Sequence, residues 1–557
     1  MFKDKLAKTI SEHFKIRFEE VVNLIEIPPN PSLGDFAFPC FSLAKELKKS
    51  PVIIAKENQN ISANFLREVK AVGPYLNFFL KNEAVSERLK DFNLNFDEKK
   101  ETVLVESPSP NTNKPLHLGH LRNMLLGQTT SNLYKKLGHE VVLTEIVNDK
   151  GTHICKSMLA YKLKGEGKTP ESEGVKGDFF VGKYYVLFEK MRKEDPTMDK
   201  KAQEMLVKWE QGDKETLDLW NKMRNWCLEG MSETYTNLGM NIDKQYFESD
   251  IYLDGKKIVE EGLKKGIFQK EEDGAIFVNL ESKGLGKKYL QRSDGTSIYI
   301  TQDIYLAKKR FEEYNMNRMV YVVGNEQDYH FKVLFEIFKL LEYEFSDKCF
   351  HLSYGMVYLP DGRMKSREGT VIDLDIFRSE VIADAKAEVL SRYSDLSKEE
   401  VSFRARVIGE GALRFFILKQ DAKKDMTYNP KESLSFSGES GPYVQYTYAR
   451  ICSIFRKSGL KEEFNSKLLK EDLEKELTLK LLNFKEIIVK ASESYKPNLI
   501  CNYLLDLSQL VTKYYHEVKI INEDKEVEKA RLYLLSRVKE VLSEGLNILG
   551  IEVLEEM

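Results

Sequence analysis

Apolar and polar positions alternate along this chain in two different rhythms, and the change of rhythm marks its organisation. Residues 1 to about 90 mix both. Ala7 to Ile25 carries apolar residues at Ile10, Phe14, Phe18, Val21 and Val22, a helical spacing. Gly34-Asp35 marks a turn, Phe41 to Lys49 begins a further helix, Ser50-Pro51 opens another, and Tyr75 to Leu80 reads as a strand. A charged link, Lys90 to Glu101, leads to a βα pattern. Strand Thr102–Val105 precedes an amphipathic helix, Leu121 to Leu137, ended by Gly138, and Glu140 to Val147 is the next strand. A mostly helical excursion over about 150–290 follows, with a Gly/Glu/Lys-rich loop at Lys162 to Gly177. Strands resume at Ser297–Thr301, Met319–Val323 and Leu352–Tyr358. Beyond about Lys398 only the helical rhythm remains, in Leu477–Ala491, Leu504–Val518 and Val527–Ile548.

This order predicts an α/β architecture. A Rossmann-type parallel sheet occupies 99–397 and is interrupted by an insertion at about 150–290. A small α+β domain precedes it over 1–90, and an all-α domain follows over 398–557.

Length agrees, since 557 residues exceed what one core accommodates. Apolar content of 42% and charged content of 31% describe an ordinary globular protein. No apolar run reaches the roughly 20 residues of a membrane span, and the N-terminus shows no secretory pattern. The six cysteines are scattered, without CxxC or Cys/His clusters, which argues against structural zinc and disulfides and fits a reducing cytoplasm. A net charge of −3 leaves nucleic-acid binding to a local patch.

The candidate chemistry concentrates in ESPSPNTNKPLHLGH, Glu106 to His120, where a strand hands over to a helix N-terminus. Backbone N–H groups and the positive end of the helix dipole suit phosphates there. Two loop histidines alone are equally compatible with a structural role. A second segment, GRMKSREG, follows at 362–369.

These segments resemble the His-Ile-Gly-His and Lys-Met-Ser-Lys-Ser signatures of class I aminoacyl-tRNA synthetases. NDKGTHI, ETYTNLGMNIDKQYFES, DGTSIYITQDIYLA, VVGNEQDYHF, YGMVYLPDGRMKSREGTV, SLSFSGESGPYVQYTYARICSIFRK and LNILGIEVLEEM each resemble the arginyl-tRNA synthetase family in order along nearly the whole chain. The resemblance implies activation of L-arginine by ATP, with Mg²⁺ held mainly by ATP phosphates and water, and transfer to the terminal adenosine of tRNA(Arg). It also implies tRNA-dependent activation, a monomer, and an N-terminal module on the tRNA elbow.

By the same resemblance, Asn111 contacts the amino-acid backbone with His120 near it, and Glu106, Tyr299, Asp303 and Gln327 line the arginine pocket. A guanidinium presents five donors in a planar fork and wants carboxylates or neutral acceptors in matching geometry. Asp303 is favoured for the guanidinium, and a helix would place it on one side with Tyr299. Its alternative is an N-cap of Ile304–Arg310, and that of Glu106 is a solvated strand end. For ATP, His117 and His120 donate to phosphates, Gly119 permits close approach, and Gly355, Met356 and Val357 are candidates for adenine contacts. Plain strand core is the other reading of Met356 and Val357. RMKSREG aligns imperfectly with the second signature, so Lys114 and Lys365 are assigned jointly to pyrophosphate, with Ser366 beside them. A solvated loop charge remains the other reading of Lys365.

In the C-terminal region Tyr443, Tyr446 and Arg450 fall at i, i+3 and i+7, with Arg456 and Lys457 beyond. Aromatic and arginine side chains suit unstacked RNA bases, although tyrosines also pack helices together. The competing functions are a nucleotidyltransferase, a class I ligase for another amino acid, or an RNA-binding scaffold.

Overall fold

The computed structural model describes all residues except Met1, Pro29, Lys100, Ser297 and 359–372. Its main sheet starts at β1 (Thr102–Glu106), whose Val103, Leu104 and Val105 are buried on both faces, as a central parallel strand requires. The other strands are β2 (Glu140–Val147), β3 (Lys244–Phe247), β4 (Arg318–Gly324) and β5 (Cys349–Tyr354). All pairs are parallel, in the order β5-β4-β1-β2-β3. The chain leaves β1 for β2 on one side and later builds β4 on the other. The carboxyl ends of β1 and β4 therefore flank a topological switch point, where open α/β sheets bind ligands.

Several expectations are corrected. Ser297–Thr301 was expected to be a strand, but α2 (Tyr299–Tyr314) begins there, following α1 (Leu118–Lys136) in the core. The run Ile298-Tyr299-Ile300-Thr301 is rich in β-formers. Burial of Ile300, Ile304 and Ala307 on one face nevertheless favours the helix, so tertiary packing overrides propensity. The expected amphipathic helix after the first strand is instead buried almost all round, with Arg122, Asn123, Thr129, Thr130 and Ser131 among its buried residues. Ala7–Ile25 divides into helices Phe2–Phe14 and Phe18–Leu24, with Lys15 at φ 58° between them. The insertion contributes β3 to the main sheet and holds a three-stranded antiparallel sheet between Gln269 and Gln291. The third of the later strands breaks after Tyr354. Val357–Tyr358 pairs instead with Met426–Thr427, a strand in a region expected to be wholly helical.

Chain contacts divide the protein into two compact units. One comprises residues 1–94, 451–484 and 509–541. In it, hairpin strands Leu66–Val72 and Tyr75–Leu80 turn at Gly73 (φ 58°), and strand Phe36–Pro39 pairs with the second of them. Asp35 accepts the Leu80 N–H at 2.6 Å and pairs with Lys475 at 3.1 Å, both side chains being buried. The other unit comprises 95–450, 485–508 and 542–557 and contains the main sheet.

Candidate functional site

After β1 the chain runs over the switch point to His117, the N-cap of α1. The two histidines cap the helix reciprocally. His117 Nδ1 accepts the Gly119 N–H, and His120 Nδ1 accepts the His117 N–H, each at 3.1 Å. A neutral imidazole whose Nδ1 accepts carries its proton on Nε2. Burial, assisted by the ammonium of Lys114, pushes His117 down to about 3, and burial, then His117 and Lys114, pushes His120 well below its usual range. Both rings are thus neutral at pH 7, stand 3.9 Å apart between centroids, and present Nε2–H donors. Gly119 leaves room for the His117 ring, since a Cβ at residue 119 would stand 3.0 Å from its Cε1 and the ring would have to give. A cleft of about 670 Å³ opens beside Lys114 and His117, walled by Phe179, Tyr185 and Lys190 of the insertion and by Asp373 and Ile376.

The loop is pinned to the continuation of β2. Asn111 bridges Asn148, Thr112 N–H donates to the Asn148 carbonyl at 3.2 Å, and Asn113 donates to the His153 carbonyl at 3.1 Å. Buried Asp149 then accepts from Ser249 N–H (2.9 Å), Ser249 Oγ (2.8 Å) and Arg224 (3.2 Å). Glu248 follows β3 directly and comes within electrostatic reach of Asp149 and Asp303.

Glu106 ends β1 and is buried against Arg310 of α2, with which it forms an ion pair, so the solvated strand end is not observed. Arg310 also lies over the Tyr246 ring, 4.8 Å from its centroid. Asp303 is the fifth residue of α2, whose N-cap is Ile298, so the N-cap alternative falls. Its Oδ2 lies 2.8 Å from His330 Nε2. Tyr299, one turn earlier on α2, lies 5.9 Å from the His330 ring. The Asp303 carboxylate holds the Tyr299 phenol above its usual range, although the residue as a whole is 47% exposed. Burial also pushes Asp303 up against the opposing pull of His330. Glu248 has no side-chain partner among the described residues. Burial pushes it up to about 7, Lys150 opposes the shift, and Asp149 and Asp303 add to it. Gln327 is exposed at the N-cap of α3 (Asp328–Leu340), just past β4.

Gly355 and Met356 have committed their main-chain groups. Gly355 N–H donates to the Ala422 carbonyl at 2.9 Å, its carbonyl accepts from Arg122, and Met356 N–H donates to Asp425 at 2.7 Å. The Val357 side chain is buried in its short strand. Lys365 and Ser366 lie outside the described residues. In the helix Gly441–Ser458, Tyr443, Tyr446 and Arg450 are half-buried along one face. The Arg450 guanidinium lies 4.9 Å from the Tyr446 ring centroid, and that ring packs edge-on against Phe436.

Reading the sequence for pocket residues missed Glu248, His330, Arg310 and Arg122. The first two lie in KQYFES and QDYHF, inside segments already singled out, and each follows a strand end by a few residues. Position after a carboxyl strand end was the available signal. Nothing in the sequence announces that Arg310 reaches Glu106.

Comparison with known proteins adds an independent finding. The family "tRNA synthetases class I (R), catalytic domain" matches residues 84–429, the "DALR anticodon binding domain" matches 444–557, and the "Arginyl tRNA synthetase N terminal domain" matches 1–80. An arginine–tRNA ligase of Treponema denticola is 44% identical, the match covering 96% of this chain and 94% of that protein. One of Bacteroides fragilis is 42% identical over 100% of this chain and 99% of that protein. The solved structure of Thermus thermophilus arginyl-tRNA synthetase superposes with a TM-score of 0.84 at 27% identity, covering both chains entirely. With its parallel sheet, its histidine-capped first helix and family matches along nearly its whole length, the chain belongs to the class I arginyl-tRNA synthetases.

Proposed function

We propose that the chain joins L-arginine to the 3′-terminal adenosine of tRNA(Arg) in two steps, and that the residues around the switch point carry them. An arginine carboxylate oxygen attacks the α-phosphorus of ATP, the bond from the α-phosphorus to the oxygen bridging to the β-phosphate breaks, and pyrophosphate leaves; Mg²⁺ bound to the ATP phosphates would neutralise part of their charge. The 2′-hydroxyl of the terminal adenosine then attacks the carbonyl carbon, the bond from that carbon to the phosphate oxygen breaks, and AMP departs as the hydroxyl proton is lost. Little covalent chemistry is asked of the protein, so positioning and charge neutralisation carry the catalysis.

Supporting this reading, the Nε2–H groups of His117 and His120 are fixed by their Nδ1 hydrogen bonds and serve as neutral donors to phosphate oxygens. Lys114 adds positive charge at the same place, and Lys365 and Ser366 share the pyrophosphate from the second signature. Gly119 borders the phosphates of ATP, and of the adenine candidates Val357 is left to offer main-chain groups, since those of Gly355 and Met356 are committed within the protein. Asn111 takes the amino-acid backbone near His120, and Glu106, Tyr299, Asp303 and Gln327, joined by Glu248, surround the side chain. Glu106 is already neutralised by Arg310, so Asp303 and Glu248 are the carboxylates best placed for a guanidinium. Tyr443, Tyr446 and Arg450 offer two rings and a cation to anticodon-loop bases.

The domains of this reading are an elbow-binding module over 1–90, a catalytic domain over 99–397 and an anticodon-binding domain over 398–557. The chain acts as a cytoplasmic monomer. The observation that carries the reading is the gathering of Glu106, Asp303 and Glu248 around Tyr299, with a neutral histidine pair capping the helix that follows the strand of Glu106. ATP–pyrophosphate exchange with each amino acid, with and without tRNA, tests it. Exchange is expected with arginine and to depend on tRNA. Exchange driven by another amino acid would overturn the specificity.

A further inference from the structure

His330 lies in the first turn of α3, and its ring reaches the neighbouring α2. Its Nε2 is 2.8 Å from Asp303 Oδ2, and both side chains are 16% exposed, so water competes little for this contact. Among the described residues this is the one side-chain hydrogen bond of the Asp303 carboxylate. The His330 ring is itself held. Phe331 packs edge-on against it at 5.6 Å and is in turn stacked on His351 at 4.2 Å, while Tyr299 flanks the other side.

We propose that His330 is a specificity-determining positioning residue, fixing the Asp303 carboxylate in one orientation with Oδ2 occupied and Oδ1 left to accept from the guanidinium. The inference rests on the reading of Asp303 as the guanidinium acceptor. A carboxylate that rotates freely serves a compact ammonium as readily as a planar fork. A carboxylate held at one oxygen favours the fork, whose donors have fixed directions. Without His330 the buried Asp303 also loses the group that opposes its protonation. The remaining neighbours are Glu106 from β1, Tyr299 and Arg310 from α2, Tyr321 from β4 and Glu248 after β3. Only Arg310 among them is cationic, and it is committed to Glu106.

Arginine-dependent pyrophosphate exchange by the full chain with tRNA present, using His330→Ala, His330→Gln and Asp303→Asn, tests the inference. His330→Ala is expected to raise the KM for arginine about tenfold or more, as loss of a hydrogen bond to a charged group does, while the KM for ATP stays within about twofold. Its arginine KM should worsen further from pH 8 to pH 6, and its discrimination against lysine should fall. His330→Gln, whose amide N–H still donates, should restore most of the loss. If Asp303→Asn raises the arginine KM and His330→Ala does not, the inference fails while the pocket reading stands. If Asp303→Asn leaves the arginine KM unchanged, the pocket reading fails and the inference with it. An equal rise in arginine and ATP KM for His330→Ala would mark a merely structural role and overturn the inference.

Discussion

Arg122 and Gly355 are joined by a hydrogen bond of 2.7 Å from a fully buried guanidinium to a main-chain carbonyl. The same nitrogen donates to the Lys424 carbonyl at 2.8 Å, and the second terminal nitrogen donates to Asp421 at 3.2 Å. One side chain of α1 thus fixes the backbone after β5 and the turn leading to the C-terminal helices. Burial without a hydrogen-bonded carboxylate lowers its pKa to about 10, so it remains charged at neutral pH.

Replacing Arg122 by Met leaves one buried carbonyl, that of Gly355, and two part-buried ones, those of Lys424 and Asp421, without this donor. The expected cost is about 3 kcal/mol or more, read as an earlier unfolding midpoint in urea. Arg122→Lys, which cannot reach three acceptors in a fork, should recover only part of it. A midpoint unchanged in Arg122→Met would contradict this role.

Gly119→Ala tests the histidine cap. The new Cβ lies 3.0 Å from the His117 ring, tighter than ordinary contact, so the ring must shift. The KM for ATP is expected to rise several-fold with little change for arginine. Thermal stability should hold, because Ala favours the helix by up to about 1 kcal/mol over Gly. Wild-type ATP kinetics in this variant would show that the ring's position is unimportant.

Glu248 titrates near 7, above the ordinary carboxyl range, so it is largely protonated at pH 6 and ionised at pH 8. Arginine affinity should therefore rise over that interval, since the ionised form attracts the guanidinium. Glu248→Gln is expected to weaken arginine binding at pH 8 and to flatten the profile. Calorimetric titration at both pH values would settle it, and a variant that keeps the wild-type slope would assign the titration elsewhere.

Glu145 of β2 lies buried between Tyr235 (2.8 Å) and Gln245 (2.6 Å), and burial raises its carboxyl from 4.5 to about 7. A raised folded pKa contributes stability below about 4.5 that is lost as pH rises through 7. Relative to wild type, Glu145→Gln should thus be more favourable at pH 8 than at pH 5 in urea titrations. The opposite order would refute a buried, mostly neutral carboxyl at low pH.

Arg450→Ala removes the cation over the Tyr446 ring. The KM for tRNA should rise and the salt dependence of tRNA binding should become shallower, with tRNA-saturated arginine kinetics unchanged. A tRNA KM equal to wild type would leave the Tyr446–Arg450 pair as packing alone.

The central strand, the long C-terminal helices and the loop from Glu106 to His120 were all legible, because their signals are local. Periodicity identifies Leu477–Ala491 and Leu504–Val518, the bulk of the helices Asp472–Glu493 and Asn498–Glu517, whatever else surrounds them. The same local reading misjudged Ile298–Thr301, where β-formers sit in a helix whose buried face appears only once α2 packs under the sheet. It missed the break at Lys15, where a positive φ is adopted by a residue with no special preference for it.

By itself, the sequence determined the succession of elements, the histidine-glycine loop at a strand-to-helix junction, and the presence of acids near strand ends. Each depends on neighbours within a few residues, where spacing and side-chain chemistry suffice. Only the tertiary structure decided which acids are neutralised. Glu106 meets Arg310 from 204 residues away, Asp303 meets His330 from a different helix, and Glu248 comes within electrostatic reach of Asp303 without a side-chain partner among the described residues. These pairings follow from how the helices close over the switch point, and the burial they create sets the charge each group carries.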